Sequence, residues 1–225
     1  MSLTLAFDVY GTLIDTHGVV VKLKSLVGDK AVSFSQSWRD KQLEYSFRRG
    51  LMGDYQHFGV CTRDALEYTC RVYQIDLSDQ DKDSLLACYR SLPVFADVVS
   101  SINALKAEGH ALYAFSNGHP EAVSGLLGHA GIEQLFIDII SVDELETFKP
   151  APAVYQLFLE RTQSDPEETW LISSNPFDVI GAVNVGMKAA WVQRSPEAVF
   201  DPWGVEPDLV VSELTDLSGR LPGPR

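Results

Sequence analysis

The sequence predicts an α/β protein: a doubly wound parallel sheet with a helical cap inserted after the first strand. Three features carry that expectation. Six short apolar runs end in turn-forming residues, and strands covered on both faces read as such unbroken runs. Segments between the later runs repeat their apolar residues with helical period. The alternation is broken once, from residue 14 to about 92, where only helix-like patterns occur.

The first run covers 3–9 and is followed by a turn at Gly11. Helix-like patterns then occupy 34–49, 63–74 and 79–90. Phe95, Val98, Val99, Ile102 and Leu105 make an i, i+3, i+4, i+7 stripe, and Gly109 supplies its stop. Strands are expected at 112–115 and 136–140. Pro150 and Pro152 open a helix whose stripe is Val154, Leu157 and Phe158. The last strands are expected at 170–172, 189–192 and 209–211, with a helix starting beside Asp178. Alternating strands and helices make a parallel sheet wrapped by helices. The expected division is 1–13 and 93–225 for the α/β core domain and 14–92 for the helical cap domain. Ligands of open parallel sheets sit at the carboxyl ends of the strands, so a cap rooted there covers the site. The tail from Ser218, with Gly219, Pro222, Gly223 and Pro224, reads as frayed.

Composition narrows the function. A chain of 225 residues, 45% hydrophobic and 22% charged, is an ordinary globular sequence. Its apolar runs are strand-sized, well short of the ~20 residues of a membrane span. The start carries no basic segment with a cleavage signature, which predicts no secretory signal. Cys61, Cys70 and Cys88 are odd in number and form no CxxC, so they read as reduced thiols of a cytoplasmic protein. The net charge of −13 argues against nucleic acid and anionic membranes as partners. An anionic substrate must then be drawn in by a local basic site. There is no GxGxxG, P-loop or GxSxG, and His17, His57, His110, His119 and His129 lack metal-ligand spacing.

Four polar clusters fall where predicted core strands end. Asp8-Val9-Tyr10-Gly11-Thr12 places a carboxylate ahead of a glycine turn, although Asp is also a common turn former. Ser116-Asn117-Gly118 offers a hydroxyl, an amide and a flexible loop. Lys149 opens a helix, where its charge opposes the dipole and a purely structural role is unfavourable. Ser173-Ser174-Asn175-Pro176-Phe177-Asp178 runs from strand into helix, and Asp178 also suits a helix start.

Asp8 with Thr12, then Ser116, Lys149 and Asp178, resembles the four ordered motifs of the haloacid dehalogenase superfamily across essentially the whole chain. Phosphatases of that superfamily carry a second Asp two residues after the nucleophile, and here that position is Tyr10. The resemblance therefore narrows to the L-2-haloacid dehalogenases, whose leaving halide needs no proton. The segment Trp38-Arg39-Asp40-Lys41-Gln42-Leu43-Glu44-Tyr45 and the spacing from Lys149 to Tyr155 match as well. Asp40 departs from a usual Gln, which bears on pocket polarity.

The resemblance implies a Rossmann-like core, no cofactor and no metal, a small 2-haloacid substrate and a homodimer. Asp8 is the expected nucleophile, displacing halide from C2 to form an ester. Burial works against an ionised carboxylate, and Lys149 is the compensating cation. Thr12 and Ser173 are expected to donate hydrogen bonds to Asp8. Arg39, Asn117 and the ring edge of Phe177 would cradle the halide, and Ser116 the substrate carboxylate. Asn175 and Asp178 would position and activate water, with Tyr155 holding Lys149 or Asp178. Tyr10, Asp40, Leu43 and Phe58 would wall the substrate side chain. Outside the family match, Arg39 reads as a solvated helix residue and Tyr10, Leu43 and Phe58 as plain core. Three other readings stand beside this one: a hydrolase opening another electrophilic carbon such as a strained-ring amino acid, a phosphatase, and a non-catalytic binding protein.

Overall fold

The computed structural model describes residues 2–222. Six strands, β1 (Thr4–Asp8), β2 (Ala111–Ser116), β3 (Asp138–Ser141), β4 (Thr169–Ser173), β5 (Lys188–Val192) and β6 (Leu209–Val211), form one sheet. Their order is β3-β2-β1-β4-β5-β6 and every pairing is parallel. The first of these strands in sequence thus lies inside the sheet, with Asp8 opposite Phe115 of β2. Side chains alternate along β1. Leu5 and Phe7 enter one core, with α5 (Val98–Ala107) and α6 (Pro120–His129) contributing to it. Ala6 enters the other, with α7 (Pro152–Thr162) and α8 (Pro176–Asn184). Helices cover both faces, as a doubly wound sheet requires.

Between β1 and α5 the chain forms α1 (Val19–Val27), α2 (Ala31–Met52), α3 (Phe58–Tyr73) and α4 (Asp79–Cys88), with no strand. Helix α2 buries Phe34, Trp38, Gln42 and Ser46, one residue per turn, against its neighbours. Gly53 ends it in the left-handed conformation, at φ 65°. The chain leaves the sheet and returns beside its own exit. Asp15 N–H donates to Pro93 carbonyl (2.8 Å) and Phe95 N–H to Leu13 carbonyl (3.1 Å).

Several boundaries differ from the sequence expectation. Helix α5 starts at Val98, because Phe95 is part of the returning passage beside Leu13. Strand β3 begins at Asp138, and Ile137, expected inside it, is 64% exposed. Helix α1 was not expected: its Val19-Val20-Val21 start has low helix propensity, and burial of Val19 and Leu23 overrides it. Residues 218–222 are held rather than frayed, since Leu221 is buried in the core. Gly223 and Pro224 lie outside the described residues. Among the described residues, no helix is long and apolar enough to cross a membrane.

Candidate active site

Asp8 is the last residue of β1, Ser116 of β2 and Ser173 of β4, so neighbouring strands deliver three polar groups to one edge. Gly11, at φ 90°, turns the chain sharply after β1 and brings Thr12 back over Asp8. Asp8 is 7% exposed. Its Oδ2 accepts from Thr12 Oγ1 and Asn175 Nδ2, both at 2.8 Å, and its Oδ1 faces Lys149 Nζ at 3.4 Å.

Lys149 is almost fully buried, with its ammonium 4.0 Å above the Phe115 ring. Nζ donates to Phe115 carbonyl and to Asp178 Oδ2, each at 2.9 Å. One cation therefore bridges two acids. Asp178 is fully buried and its Oδ1 accepts from Tyr155 Oη at 2.7 Å. Burial pushes the Asp178 carboxyl above its ordinary pKa, and the Lys149 charge opposes that rise. Burial and the adjacent Asp178 hold the Tyr155 phenol protonated, well above the usual tyrosine value. Gly181 makes this contact possible, because a Cβ there would stand 2.6 Å from Tyr155 Cε2.

The loop after β2 is tied to the same centre. Asn117 Oδ1 accepts from the Lys149 backbone N–H (2.9 Å), and Ser116 Oγ accepts from Gly118 N–H (3.0 Å). Arg39 arrives from α2. Its Nη2 donates to Tyr10 carbonyl (3.3 Å), and its Nη1 is buried with no partner among the described residues. Burial raises the Tyr10 phenol to about 12, against the pull of Arg39. The Tyr10 ring stacks on Phe58 at 6.4 Å, and Phe177 meets Phe47 edge-on at 5.1 Å. Leu43 packs, partly buried, in the cluster that contains Phe58. Tyr10, Phe58 and Gly118 also face a cavity of about 830 Å³ that extends to Leu86, Tyr89 and His119.

Three sequence expectations are corrected. Ser173 makes no hydrogen bond to Asp8. Its hydroxyl accepts from Asn175 N–H (3.1 Å) in a local turn, and the Asn175 amide reaches Asp8 instead. Lys149 does not open a helix, because α7 starts three residues later at Pro152, so the dipole argument does not apply to it. Asp40 is exposed and accepts from Gln36 Nε2 (2.8 Å), because one helical step turns it away from the side that carries Arg39.

Ser174 was not singled out, yet it holds Thr12. Its N–H donates to Thr12 Oγ1 (2.9 Å) and its hydroxyl to Gly11 carbonyl (2.8 Å). Phe47 was missed as well. Its only sequence signal is its place on the helix that carries Arg39. Among the described residues no group of three or more His, Cys, Asp or Glu is arranged to hold a metal ion.

A family model described as haloacid dehalogenase-like hydrolase matches residues 3–186. The chain is 35% identical over 217 residues to (S)-2-haloacid dehalogenase 2 of Pseudomonas sp. (strain CBS-3), covering 96% of this chain and 94% of that protein. It is 38% identical to haloacetate dehalogenase H-2 of Moraxella sp. (strain B), covering 92% of each. Among solved structures, L-2-haloacid dehalogenase from Xanthobacter autotrophicus with chloropropionic acid covalently bound matches with a TM-score of 0.88 at 31% identity. That match covers 96% of this chain and 97% of the other.

Proposed function

The chain belongs to the haloacid dehalogenase-like hydrolase family, and from that premise we propose that it hydrolyses short L-2-haloalkanoic acids to D-2-hydroxy acids through an aspartyl ester. The observation that carries this reading is the Asp8–Lys149–Asp178 bridge, with Tyr10 rather than an acid two residues after Asp8. A leaving alkoxide needs a proton and a halide does not, so the site suits halide departure.

Asp8 is already oriented by Thr12 and Asn175. Holding a nucleophile at attack geometry removes much of the entropic barrier. One Asp8 carboxylate oxygen attacks C2 from the side opposite the halogen, and the C–X electron pair leaves as halide. The centre inverts. Arg39 Nη1, buried and unpartnered among the described residues, is the donor assigned to the departing anion, and in this reading the Asn117 amide and the Phe177 edge join it. Ser116 accepts from Gly118 and keeps its own proton, which is free for the substrate carboxylate.

Water then attacks the ester carbonyl of Asp8, and Asp178 takes its proton. A carboxyl with a raised pKa is a better base than an ordinary one, and Tyr155 and Lys149 fix its two oxygens. Collapse releases the hydroxy acid, whose oxygen takes the proton back from Asp178, and the second water proton leaves the Asp8 carboxyl for solvent, which restores the carboxylate. The charge that a metal ion would bring to two acids is carried here by Lys149, so the reaction is assigned to side chains alone.

Chloride release from L-2-chloropropionate, measured beside phosphate release from a phosphomonoester, tests the reaction class. D-Lactate is the expected product. A single turnover in ¹⁸O-water is expected to leave the label in Asp8. Label in the lactate hydroxyl on that first turnover, or racemic product, overturns the ester route.

A further inference from the structure

We propose that Arg194 is a positioning residue for the nucleophile, acting through Thr12; the inference rests on the reading of Asp8 as the attacking group. Arg194 lies just past the end of β5, and Asp97 immediately precedes α5, with its side chain making no capping bond to that helix. Their side chains are only 13% and 8% exposed. Arg194 Nη1 donates to Asp97 Oδ2 at 2.7 Å and Nη2 to Thr12 carbonyl at 2.6 Å. The guanidinium lies 4.2 Å over the Phe95 ring, and Asp97 Oδ2 also accepts from Leu214 N–H at 2.6 Å.

Four remote segments meet in this clasp: the exit from the sheet at Thr12, the return at 95–97, the end of β5, and the C-terminal turn. Of these groups, only Thr12 also bonds to Asp8. Its carbonyl is gripped by Arg194, and its hydroxyl receives Ser174 N–H while donating to Asp8. Holding the carbonyl fixes the backbone from which that single hydroxyl proton is aimed.

The pair is a poor device for stability alone. Buried ion pairs contribute little net stabilisation, and here Arg194 Nε and Asp97 Oδ1 are buried without partners among the described residues. What the pair does provide is a rigid planar fork with one arm on Asp97 and the other on the Thr12 carbonyl, a geometry that a lysine cannot fully reproduce. Small misplacements of reacting groups cost as much as about 100-fold in rate. An effect of Arg194 should therefore fall on kcat rather than on substrate affinity.

The test uses chloride release from L-2-chloropropionate by the full chain. Arg194→Met is expected to lower kcat by roughly tenfold or more, which is about 1.4 kcal/mol in barrier, with KM little changed. Arg194→Lys is expected to recover part of the loss. In a Thr12→Val background, where the hydroxyl is already gone, Arg194→Met should cost less than about twofold, because residues acting in series are non-additive. An equal loss in both backgrounds, or a kcat for Arg194→Met within about twofold of wild type, overturns the proposal. If Arg194→Met does not fold, Arg194→Gln carries the same comparison. A readout without substrate separates this proposal from the functional one. The Thr12 methyl resonance in ¹³C-methyl spectra is expected to shift in the Arg194 variants, and an unchanged signal overturns the clasp. A wild-type chain that releases no chloride refutes the dehalogenase reading, and the methyl spectrum still decides the role of Arg194.

Discussion

Replacing Lys149 by Met removes the one cation between Asp8 and Asp178 while keeping most of its volume. Lys149 is 1% exposed and Asp178 is 0% exposed, so solvent cannot substitute for the lost charge. Breaking a buried pair in this way costs about 3–5 kcal/mol when the remaining acid stays ionised. For a chain of this size each kcal/mol moves Tm by about 2–4 °C, so the deficit is roughly 6–20 °C. Its pH dependence is the sharper signature. Burial already raises Asp178, and Lys149 is the main influence holding it down, so the variant raises it further. A carboxyl raised in the folded state stabilises fully below its unfolded pKa, and that contribution is lost as pH rises through the folded value. The Tm gap between Lys149→Met and wild type should therefore be small near pH 4 and widen towards pH 8, by up to about 1.4 kcal/mol per pH unit for one proton. Differential scanning fluorimetry across that range reads it directly. A constant gap at every pH would refute the electrostatic account and leave only lost packing. Chloride release should be abolished at all pH values.

Gly181→Ala puts a methyl group 2.6 Å from Tyr155 Cε2, well inside the ~3.5 Å of carbon contact. The ring must move, and its 2.7 Å bond to Asp178 must lengthen. The net cost should be about 1–3 kcal/mol, since overpacking exceeds the helix-propensity gain of alanine. The acid limb of the kcat–pH profile should shift upward as Asp178 loses a donor. An unaltered limb and an unaltered Tm would count against this packing. Arg39→Ala is expected to cost at least tenfold in kcat/KM, or more than about 1.4 kcal/mol, with no rescue by added salt; activity within twofold of wild type would remove Arg39 from the halide site. Chloride release should survive EDTA and gain nothing from Mg²⁺, and loss on chelation with recovery on adding Mg²⁺ would point to a phosphatase-like centre.

All six strands were legible because a sheet covered on both faces demands uninterrupted apolar runs, and each run occurs where a strand lies. Edges were less legible. Nothing in the run 136–140 shows that the paired register with β2 starts only at Asp138, with Ile137 giving its N–H to Leu112 carbonyl just ahead of it. Helices α1 and α6 escaped because β-branched residues start one and Gly125 and Gly128 interrupt the other, and tertiary burial overrides both weaknesses. The strand-end residues Asp8, Ser116 and Ser173 could be read from position alone. Side-chain reach could not. Ser173 and Asn175 are two residues apart, and only the folded turn shows which one meets Asp8. Arg39 and Asp40 are adjacent in sequence, and the phase of α2, set by buried Trp38 and Gln42, separates them. The Arg194–Thr12 contact joins positions 182 apart and leaves no local trace.

The interior place of β1 in the strand order also governs what happens on the ribosome. Asp8 emerges before any other strand of this sheet exists, yet one of its two flanking strands, β4, is the fourth of the six to be made. At about 5–20 residues per second, roughly 8–32 s separate β1 from β4. During that interval the nascent chain holds Asp8 without Asn175 or Asp178, and β1 with an open side. The intervening helices make mostly local contacts, which form fast and can shelter that edge. A chain that terminates before Thr169 therefore lacks the Asn175 and Asp178 contacts of the site, and it exposes unpaired sheet to its neighbours. Synthesis delivers Asp8 early and completes its surroundings only when the fourth strand docks.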